Sequence, residues 1–430
     1  MIYNRLINKE TKISVTGLGY VGLPIALEFG RKFSVVGFDI DAGRIELLKK
    51  GIDKGKEMSV DAFNNTNVEF TTDVSKLKEC SFHIIAVPTP VDEHKVPDLT
   101  PLINATEAVG KILKAGDYVV YESTVFPGCT DEICLPVLEK NSSLKLNKDF
   151  KLGYSPERIN PGDVQYTLNK VIKIVSASDD ESLENIGKIY SEIVEPGVFK
   201  ASSIKVAEAA KILENTQRDL NIALMNELSI ILDKINVNTY EVIEAAGTKW
   251  NFHKYQPGLV GGHCIGVDPY YLTYKSMELG YEPYVILSGR KVNDNMAFYV
   301  ARRCMQKLIE AGKNLTDSKI LVMGLTFKEN VSDIRNSKVA DLVNELLSFG
   351  LRVDVTDPNT STEEVKHEYN FGLIDKVTDK YDAIILAVPH KEYLDLDEAY
   401  FSRLAKEKCL LIDIKGIYRN KFSKFNYWSL

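Results

Sequence analysis

At 430 residues, 44% of them apolar and 26% charged, the chain is long enough for roughly two to three domains and too hydrophobic to stay disordered. With 53 Lys and Arg against 60 Asp and Glu, the net charge of −7 supplies no global basic field for nucleic acid or an anionic membrane, so any bound phosphate must be met by local donors. Apolar runs fall well short of the about 20 residues a membrane span needs, and the six cysteines are scattered without disulfide or metal-type spacing, so a cytoplasmic protein without a metal is expected.

In chain order, the first 200 or so residues alternate β-branched runs with amphipathic stretches. KISVT (12–16), SVVGF (34–38), HIIAV (83–87) and YVVYE (118–122) are separated by helical patterns, one of them LINATEAVGKIL (102–113). Such alternation predicts a doubly wound parallel sheet, an α/β domain over 1–202. A long helix follows over about 203–236, with Val206, Ala209, Ala210, Leu213, Leu220, Leu224, Leu228, Ile231 and Ile235 near helical spacing and no Gly or Pro. Its apolar stripe exceeds what one small domain covers, which predicts dimerisation along it within a helical domain over 203–315. The βαβ rhythm then restarts with KILVMG (319–324), RVDVTDP (352–358), AIILAV (383–388) and CLLIDI (409–414), predicting a second Rossmann-like domain over 316–430. The two ends of the chain therefore read as two copies of one architecture.

The first strand runs into Gly17-Leu18-Gly19-Tyr20-Val21-Gly22 and then PIALEFG. In that strand–turn–helix context Gly17 permits the tight turn, Gly19 lets backbone approach a pyrophosphate, and Gly22 allows close packing of helix on strand. Asp39 closes the next strand, where a carboxylate can accept hydrogen bonds from a ribose; its alternative role is to cap the helix beginning near Arg44. An acid there would repel a 2′-phosphate, favouring NAD over NADP, although Arg44 stands close by in sequence. Two further strand ends, Val87-Pro88-Thr89-Pro90 and Glu122-Ser123-Thr124-Val125, point to the same cleft, or serve only as a stiff turn and a helix cap.

Cys264 lies in Gly261-Gly262-His263-Cys264-Ile265-Gly266-Val267-Asp268, where small residues admit close backbone approach and an acid follows, a setting that suits a nucleophile. His263 is its neighbour in sequence and would point the other way on an extended loop. Lys211 and Asn215 stand one helical turn apart on one face of the long helix, among Ala209, Ala210 and Leu213; read alone, Lys211 is a solvated lysine on a polar face. Glu157, in SPER (155–158), is a strand-end carboxylate or the partner of Arg158.

Taken in order, GLGYVG, VPTP, ESTV, SPER, EAAKILENT, PGLVGGHCIGVDPYYL and GLTFKENVSDIRNSK strongly resemble the nucleotide-sugar 6-dehydrogenases, the UDP-glucose and GDP-mannose dehydrogenase superfamily, over nearly the whole chain. GGHCIGVDPYYL departs from the UDP-glucose branch, where Pro-Lys usually precedes the Asp, and is similar to the branch acting on UDP-N-acetylhexosamines of galacto or gluco configuration. The resemblance implies an NAD-dependent four-electron oxidation of the sugar C6 alcohol to a carboxylate for surface polysaccharides, with Cys264 as nucleophile. Lys211 and Asn215 would stabilise oxyanions at C6, Asp268 would poise Cys264 or a water, and Glu157 with Thr124 would serve hydrolysis. It further implies cofactor contacts from residues 17–22, Asp39, Arg44, Pro88, Thr89, Ser123, Thr124 and Arg335. Substrate contacts are implied for Glu157, Arg158, Ile159, Asn160, Lys211, Asn215, Gly258, Gly261, Phe327 and Lys328. Lys415 stands where the UDP-glucose branch carries an arginine, and Lys249 would reach a partner subunit's site in a homodimer. Competing expectations are a UDP-N-acetylmannosamine or UDP-glucose dehydrogenase, a two-electron hydroxyacid or phosphogluconate-type dehydrogenase, which leaves Cys264 and the second α/β domain unexplained, and a nucleotide-sugar sensor, which would have lost the reacting set.

Overall fold

A computed structural model describes residues 1–55, 58–92, 94–159 and 166–430. The chain folds into two compact units, one of Met1–Glu214 with Tyr270–Glu282, the other of Asn215–Pro269 with Pro283–Leu430. The boundary between the units falls within the long helix, after Glu214. Among the described residues no helix is long and apolar enough to cross a membrane.

The first unit is built on eight strands: β1 (Lys12–Thr16), β2 (Val35–Phe38), β3 (Val68–Thr71), β4 (Cys80–Ile85), β5 (Tyr118–Tyr121), β6 (Lys151–Tyr154), β7 (Lys173–Ala177) and β8 (Val198–Lys200), in the order β3-β2-β1-β4-β5-β6-β7-β8. All neighbours pair in parallel except β6 and β7. That exception departs from the expected all-parallel sheet; an antiparallel neighbour needs no crossover helix to join it. β4 and β5 are buried at every position, as a sheet covered on both faces requires. Ile13, Val15, Ile84 and Val120 pack there with Leu27, Phe29, Ile186 and Ile189, each such side chain stabilising the fold by about 1.5–3 kcal/mol on transfer from water.

The second unit carries a five-stranded parallel sheet of β9 (Lys319–Met323), β10 (Arg352–Thr356), β11 (Tyr381–Leu386), β12 (Ala405–Asp413) and β13 (Asn426–Trp428), in the order β10-β9-β11-β12-β13. Alternate residues of its strands face opposite cores. Ile320, Val322, Ile385 and Ile412 meet Val300, Cys304, Leu342 and Leu346, while Leu321, Ile384 and Leu411 meet Phe401 and Tyr418.

The long helix spans Ile204–Lys234, about 46 Å at 1.5 Å per residue. Its buried face is mixed: Glu208, Lys211, Asn215, Thr216, Asp219, Asn226 and Ser229 are buried together with Ala207, Ile212, Ala223 and Met225, whereas Val206, Leu213, Leu224 and Ile231 are exposed, Leu213 to 64%. Part of the expected apolar stripe thus faces outward, and charged and amide groups share the inward face.

Candidate active site

Of the expected cofactor residues, those in the first unit sit at the carboxyl ends of the neighbouring strands β2, β1, β4 and β5, where open α/β sheets bind ligands, and Arg335 lies in the second unit. Gly17 leaves β1 at φ +88, and a Cβ there would meet the Ala86 carbonyl oxygen at 2.7 Å. A Cβ at Gly22 would overlap the Gly17 carbonyl oxygen, so the helix Gly22–Gly30 can pack this closely only without one. Over Gly19 the space is open: its Cβ would find nothing nearer than Arg44 Nη1 at 3.8 Å. Leu18 is buried, Tyr20 is half-buried, and Val21 caps a helix with neither an acidic first turn nor a side-chain cap.

Asp39 accepts hydrogen bonds from Leu18 N (2.8 Å), Asp41 N (2.9 Å) and Arg44 Nη1 (3.2 Å). Asp41, not Asp39, caps the following helix through Arg44 N, which removes the capping alternative for Asp39. The loops after β4 and β5 are tied together, Thr89 Oγ1 donating to Thr124 O and Ser123 Oγ to Val87 O, both at 2.7 Å. Pro88 stands exposed beside them. β5 and β6 pair Tyr121 with Tyr154, so Thr124 and Glu157 leave neighbouring strand ends.

Glu157 is buried, and its partner is not Arg158, whose guanidinium bonds Glu214 (2.7 Å) and the Ile172 carbonyl (2.8 Å). The Glu157 carboxylate accepts from Arg158 N (2.6 Å) and Ile159 N (2.7 Å) and faces Lys173 Nζ at 3.3 Å. Lys173 also reaches Glu122 at 2.5 Å, and Glu122 accepts from Tyr190 OH at 2.5 Å. Burial pushes the Glu122 carboxyl up to about 7 despite the neighbouring ammonium; burial alone would lower Lys173, but Glu122 and Glu157 hold it above its ordinary value. Sequence reasoning placed Glu122 at a strand end but missed Lys173 and the pairing of the two, which meet only through the sheet. Asn160 lies outside the described residues.

In the second unit, Cys264 begins a tight turn: its carbonyl accepts Val267 N (3.1 Å) and Asp268 N (2.8 Å), leading into the helix Asp268–Glu278. Of the six cysteines it alone is not buried. The Asp268 carboxylate accepts Asn215 Nδ2 at 2.5 Å, wiring the cysteine turn to the long helix. Asn215 and, one turn earlier on the same helix face, Lys211 are 8% and 7% exposed, so Lys211 is not a solvated surface lysine. His263 faces Asp333 at 3.6 Å. Burial would raise the Asp333 carboxyl, but His263 and the two-pronged Arg335 (2.9 and 2.8 Å) hold it well below the usual carboxylate range.

The glycine loop before the cysteine is equally fixed. Asn226 accepts Gly258 N (2.8 Å) and donates to Gly258 O (3.0 Å), and it also donates to Asn293 Oδ1 (2.8 Å). Asn293 in turn donates to Asp219 (2.7 Å), which fully buried Arg290 meets at 2.5 Å. A Cβ at Gly258 would lie 2.8 Å from Lys415 Nζ, one at Gly261 2.5 Å from Asn336 O, and one at Gly262 2.6 Å from the Phe327 ring. Gly258, Gly261, Phe327 and Lys415 are thereby brought to one loop, with Lys328 half-buried next to Phe327. The Asn226 clamp was missed because a buried asparagine within a helix leaves no pattern in the sequence. Lys249 is exposed.

Models of three domains of one family match this chain in order: the UDP-glucose/GDP-mannose dehydrogenase NAD binding domain over residues 11–194, the central domain over 205–295 and the UDP binding domain over 321–420. The chain belongs to the UDP-glucose/GDP-mannose dehydrogenase family. It is 52% identical over 406 residues to Protein CapL of Staphylococcus aureus, covering 94% of this chain and 96% of that one. It is 51% identical over 409 residues to UDP-N-acetyl-D-glucosamine 6-dehydrogenase of Pseudomonas aeruginosa, covering 95% and 97%. Among solved structures, UDP-D-ManNAc dehydrogenase of Pyrococcus horikoshii matches with a TM-score of 0.88 at 29% identity, over 97% of this chain and 98% of that one.

The residues of the NAD binding domain fit their cofactor. A dinucleotide needs backbone without side chains at the turn, open space in front of it and an acid on the adjacent strand; Gly17, Gly22, the open face of Gly19 and the carboxylate of Asp39 supply these. NAD is the hydride acceptor of this family of dehydrogenases.

Proposed function

We propose that the protein oxidises the C6 alcohol of a UDP-N-acetylhexosamine, UDP-N-acetylglucosamine first, to the uronate in two NAD-dependent steps through Cys264. The observation that carries this reading is the accessible Cys264 turn joined through Asp268 to Asn215, one helical turn from buried Lys211. Relatives bearing the name UDP-N-acetyl-D-glucosamine 6-dehydrogenase at about half identity support the gluco epimer over the galacto one. UDP-N-acetylmannosamine dehydrogenases stand at 33% identity or below.

An aldehyde has no second hydride to give at the acid level until a nucleophile adds. The Cys264 thiolate adds to the C6 aldehyde, making a thiohemiacetal; loss of hydride to NAD leaves a thioester, and water cleaves it to the carboxylate and free thiol. Lys211 and Asn215 stabilise the oxyanion at C6, Lys211 also taking the alcohol proton in the first step. Asp268, held by Asn215, orients the cysteine turn. Glu157, steadied by Lys173, takes the proton of the hydrolytic water together with Thr124. Gly17, Leu18, Gly19, Tyr20, Val21, Gly22, Asp39, Arg44, Pro88, Thr89, Ser123, Thr124 and Arg335 hold NAD. Arg158, Ile159, Asn160, Gly258, Gly261, Phe327, Lys328 and Lys415 hold the nucleotide sugar. Three functional domains, 1–202, 203–315 and 316–430, divide this work.

A second copy of the chain covers the outward stripe of Val206, Leu213, Leu224 and Ile231, forming a homodimer in which Lys249 reaches the partner's site; such an apolar row on a helix is costly in water. Six cysteines without a disulfide among the described residues suit a reducing cytoplasm, and the uronate product suits acidic surface polysaccharides.

The test is NADH formed per mole of limiting nucleotide sugar, with UDP-N-acetylglucosamine, UDP-N-acetylgalactosamine, UDP-N-acetylmannosamine, UDP-glucose and GDP-mannose in parallel. Two NADH with UDP-N-acetylglucosamine, and loss of turnover in Cys264→Ser with NAD binding kept, are expected. One NADH per sugar, or full activity of Cys264→Ser, refutes the thioester route.

A further inference from the structure

The second unit repeats the strand-end architecture of the first with one change. Val322-Met323-Gly324-Leu325 matches Val15-Thr16-Gly17-Leu18, and Ala387-Val388-Pro389-His390 matches Ala86-Val87-Pro88-Thr89. Gly324 sits at φ +87 and donates to Thr356 O (2.8 Å), as Gly17 at φ +88 donates to Phe38 O (2.9 Å). Leu325 N donates to Asp357 (2.6 Å) as Leu18 N does to Asp39 (2.8 Å). Yet the Asp39 side chain keeps 9% of its surface open, whereas Asp357 has none, because the His390 ring stands against it.

His390 is itself fully buried, and four of its ring contacts fix its proton. Asn330 N (3.0 Å) and Asn359 Nδ2 (2.9 Å) lie against Nδ1; a backbone N–H can only donate, so Nδ1 is the acceptor. The ring proton is then on Nε2, 3.0 Å from Asp357 Oδ2 and 3.2 Å from Thr326 Oγ1. Thr326 and Asn330 are the two ends of the loop that carries Phe327 and Lys328. Asn330 is held in the left-handed region at φ +59, and its side chain accepts Lys391 N at 2.8 Å. Within that loop the Phe327 ring stands where a Cβ at Gly262 would be, and Gly262, at φ +80, is two residues from Cys264.

We propose that His390, braced by Asp357, is a positioning residue for the cysteine turn: it pins both ends of the Thr326–Asn330 loop and so sets Phe327 against Gly262. This rests on the dehydrogenase reading above only for its effect on turnover; the placement of Cys264 is a separate, directly measurable consequence. Asp357 has accordingly become a fastener, where its counterpart Asp39 serves a ligand.

The test compares His390→Ala with His390→Asn, whose side-chain oxygen can take over the Nδ1 acceptor role. Two readouts are followed: steady-state kinetics, and the rate at which iodoacetamide alkylates Cys264, the one cysteine not buried. His390→Ala is expected to lose about 10- to 100-fold in kcat with KM for NAD unchanged, since a small misplacement of reacting groups costs that much. Its Cys264 is expected to alkylate several-fold faster as the loop loosens. His390→Asn recovers most of both. Wild-type alkylation in His390→Ala, or equal impairment of the two variants, overturns the proposal. If His390→Ala does not fold, Asn330→Ala, which releases the far end of the loop, must show the same faster alkylation, and wild-type alkylation there overturns it equally. If the wild-type protein oxidises no nucleotide sugar, the functional reading falls while the alkylation comparison still decides the role of His390.

Discussion

Replacing Lys173 by Met would remove the cation that pairs with both Glu122 and Glu157 while keeping a chain of similar length. Lys173 is 2% exposed and Glu122 is fully buried, so water cannot compensate either carboxylate. Breaking a buried pair from one side costs about 3–5 kcal/mol, and here the cost depends on pH. In the wild type the folded pKa of Glu122, about 7, lies above its ordinary 4.5, so the folded chain binds the extra proton between these values. Wild-type stability therefore falls as pH rises from about 4.5 to about 7 and is then level with respect to this group. Without the ammonium the folded pKa rises further, and the falling limb extends above 7 at up to about 1.4 kcal/mol per pH unit. Guanidinium unfolding of both proteins at pH 6, 7, 8 and 9 should show a gap that widens only above 7, and Lys173→Met with Glu122→Gln should close that widening. A gap constant across pH 6–9, or a double variant no more stable at pH 9 than Lys173→Met, refutes the reasoning. The same substitution is expected to slow the hydrolytic half-reaction, read as accumulation of acyl-enzyme by mass spectrometry, since Glu157 loses its brace.

Gly22→Ala places a methyl on the Gly17 carbonyl and is expected to abolish NAD binding, followed by quenching of protein fluorescence, while nucleotide-sugar binding survives. Asn226→Ala frees both polar groups of Gly258 and strands Asn293, at about 1–3 kcal/mol for each buried group left unpaired; KM for the nucleotide sugar should rise more than KM for NAD. Leu213→Glu puts charge into the outward stripe and is expected to convert a dimer to a monomer in light scattering; a wild-type monomer would refute the second-copy assignment.

The alternation of strands and helices was legible because parallel strands buried on both faces read as short apolar runs, and both sheets followed from it. The dinucleotide turn was legible because three glycines have three separate steric duties in one local segment. On the long helix the apolar stripe was legible, too broad for one small domain to cover, and Leu213 and Leu224 do point out; what periodicity did not give is the burial of Lys211, Asn215 and Asp219. A helix with buried charged groups and an exposed apolar row inverts the usual inference, and periodicity carries no sign. The pairing of Glu122 with Lys173 was illegible for another reason, since residues on separate strands become neighbours only when the sheet forms.

The duplicated fold explains why the two halves of the molecule take such different ligands. Both units end their first strand in a left-handed glycine whose neighbour donates to an acid on the adjacent strand. In the first, Gly19 leaves open space and the acid remains reachable, the room that a dinucleotide needs. In the second, Thr326 and Phe327 stand where the first has Gly19 and Tyr20, and His390 replaces Thr89 to seal the acid. The sealed turn can no longer bring bare backbone to a pyrophosphate. What it gains is a loop tied at both ends whose aromatic ring meets Gly262, two residues before Cys264. Restoring Gly at 326 would therefore not create a second NAD site, because the acid would stay closed behind His390.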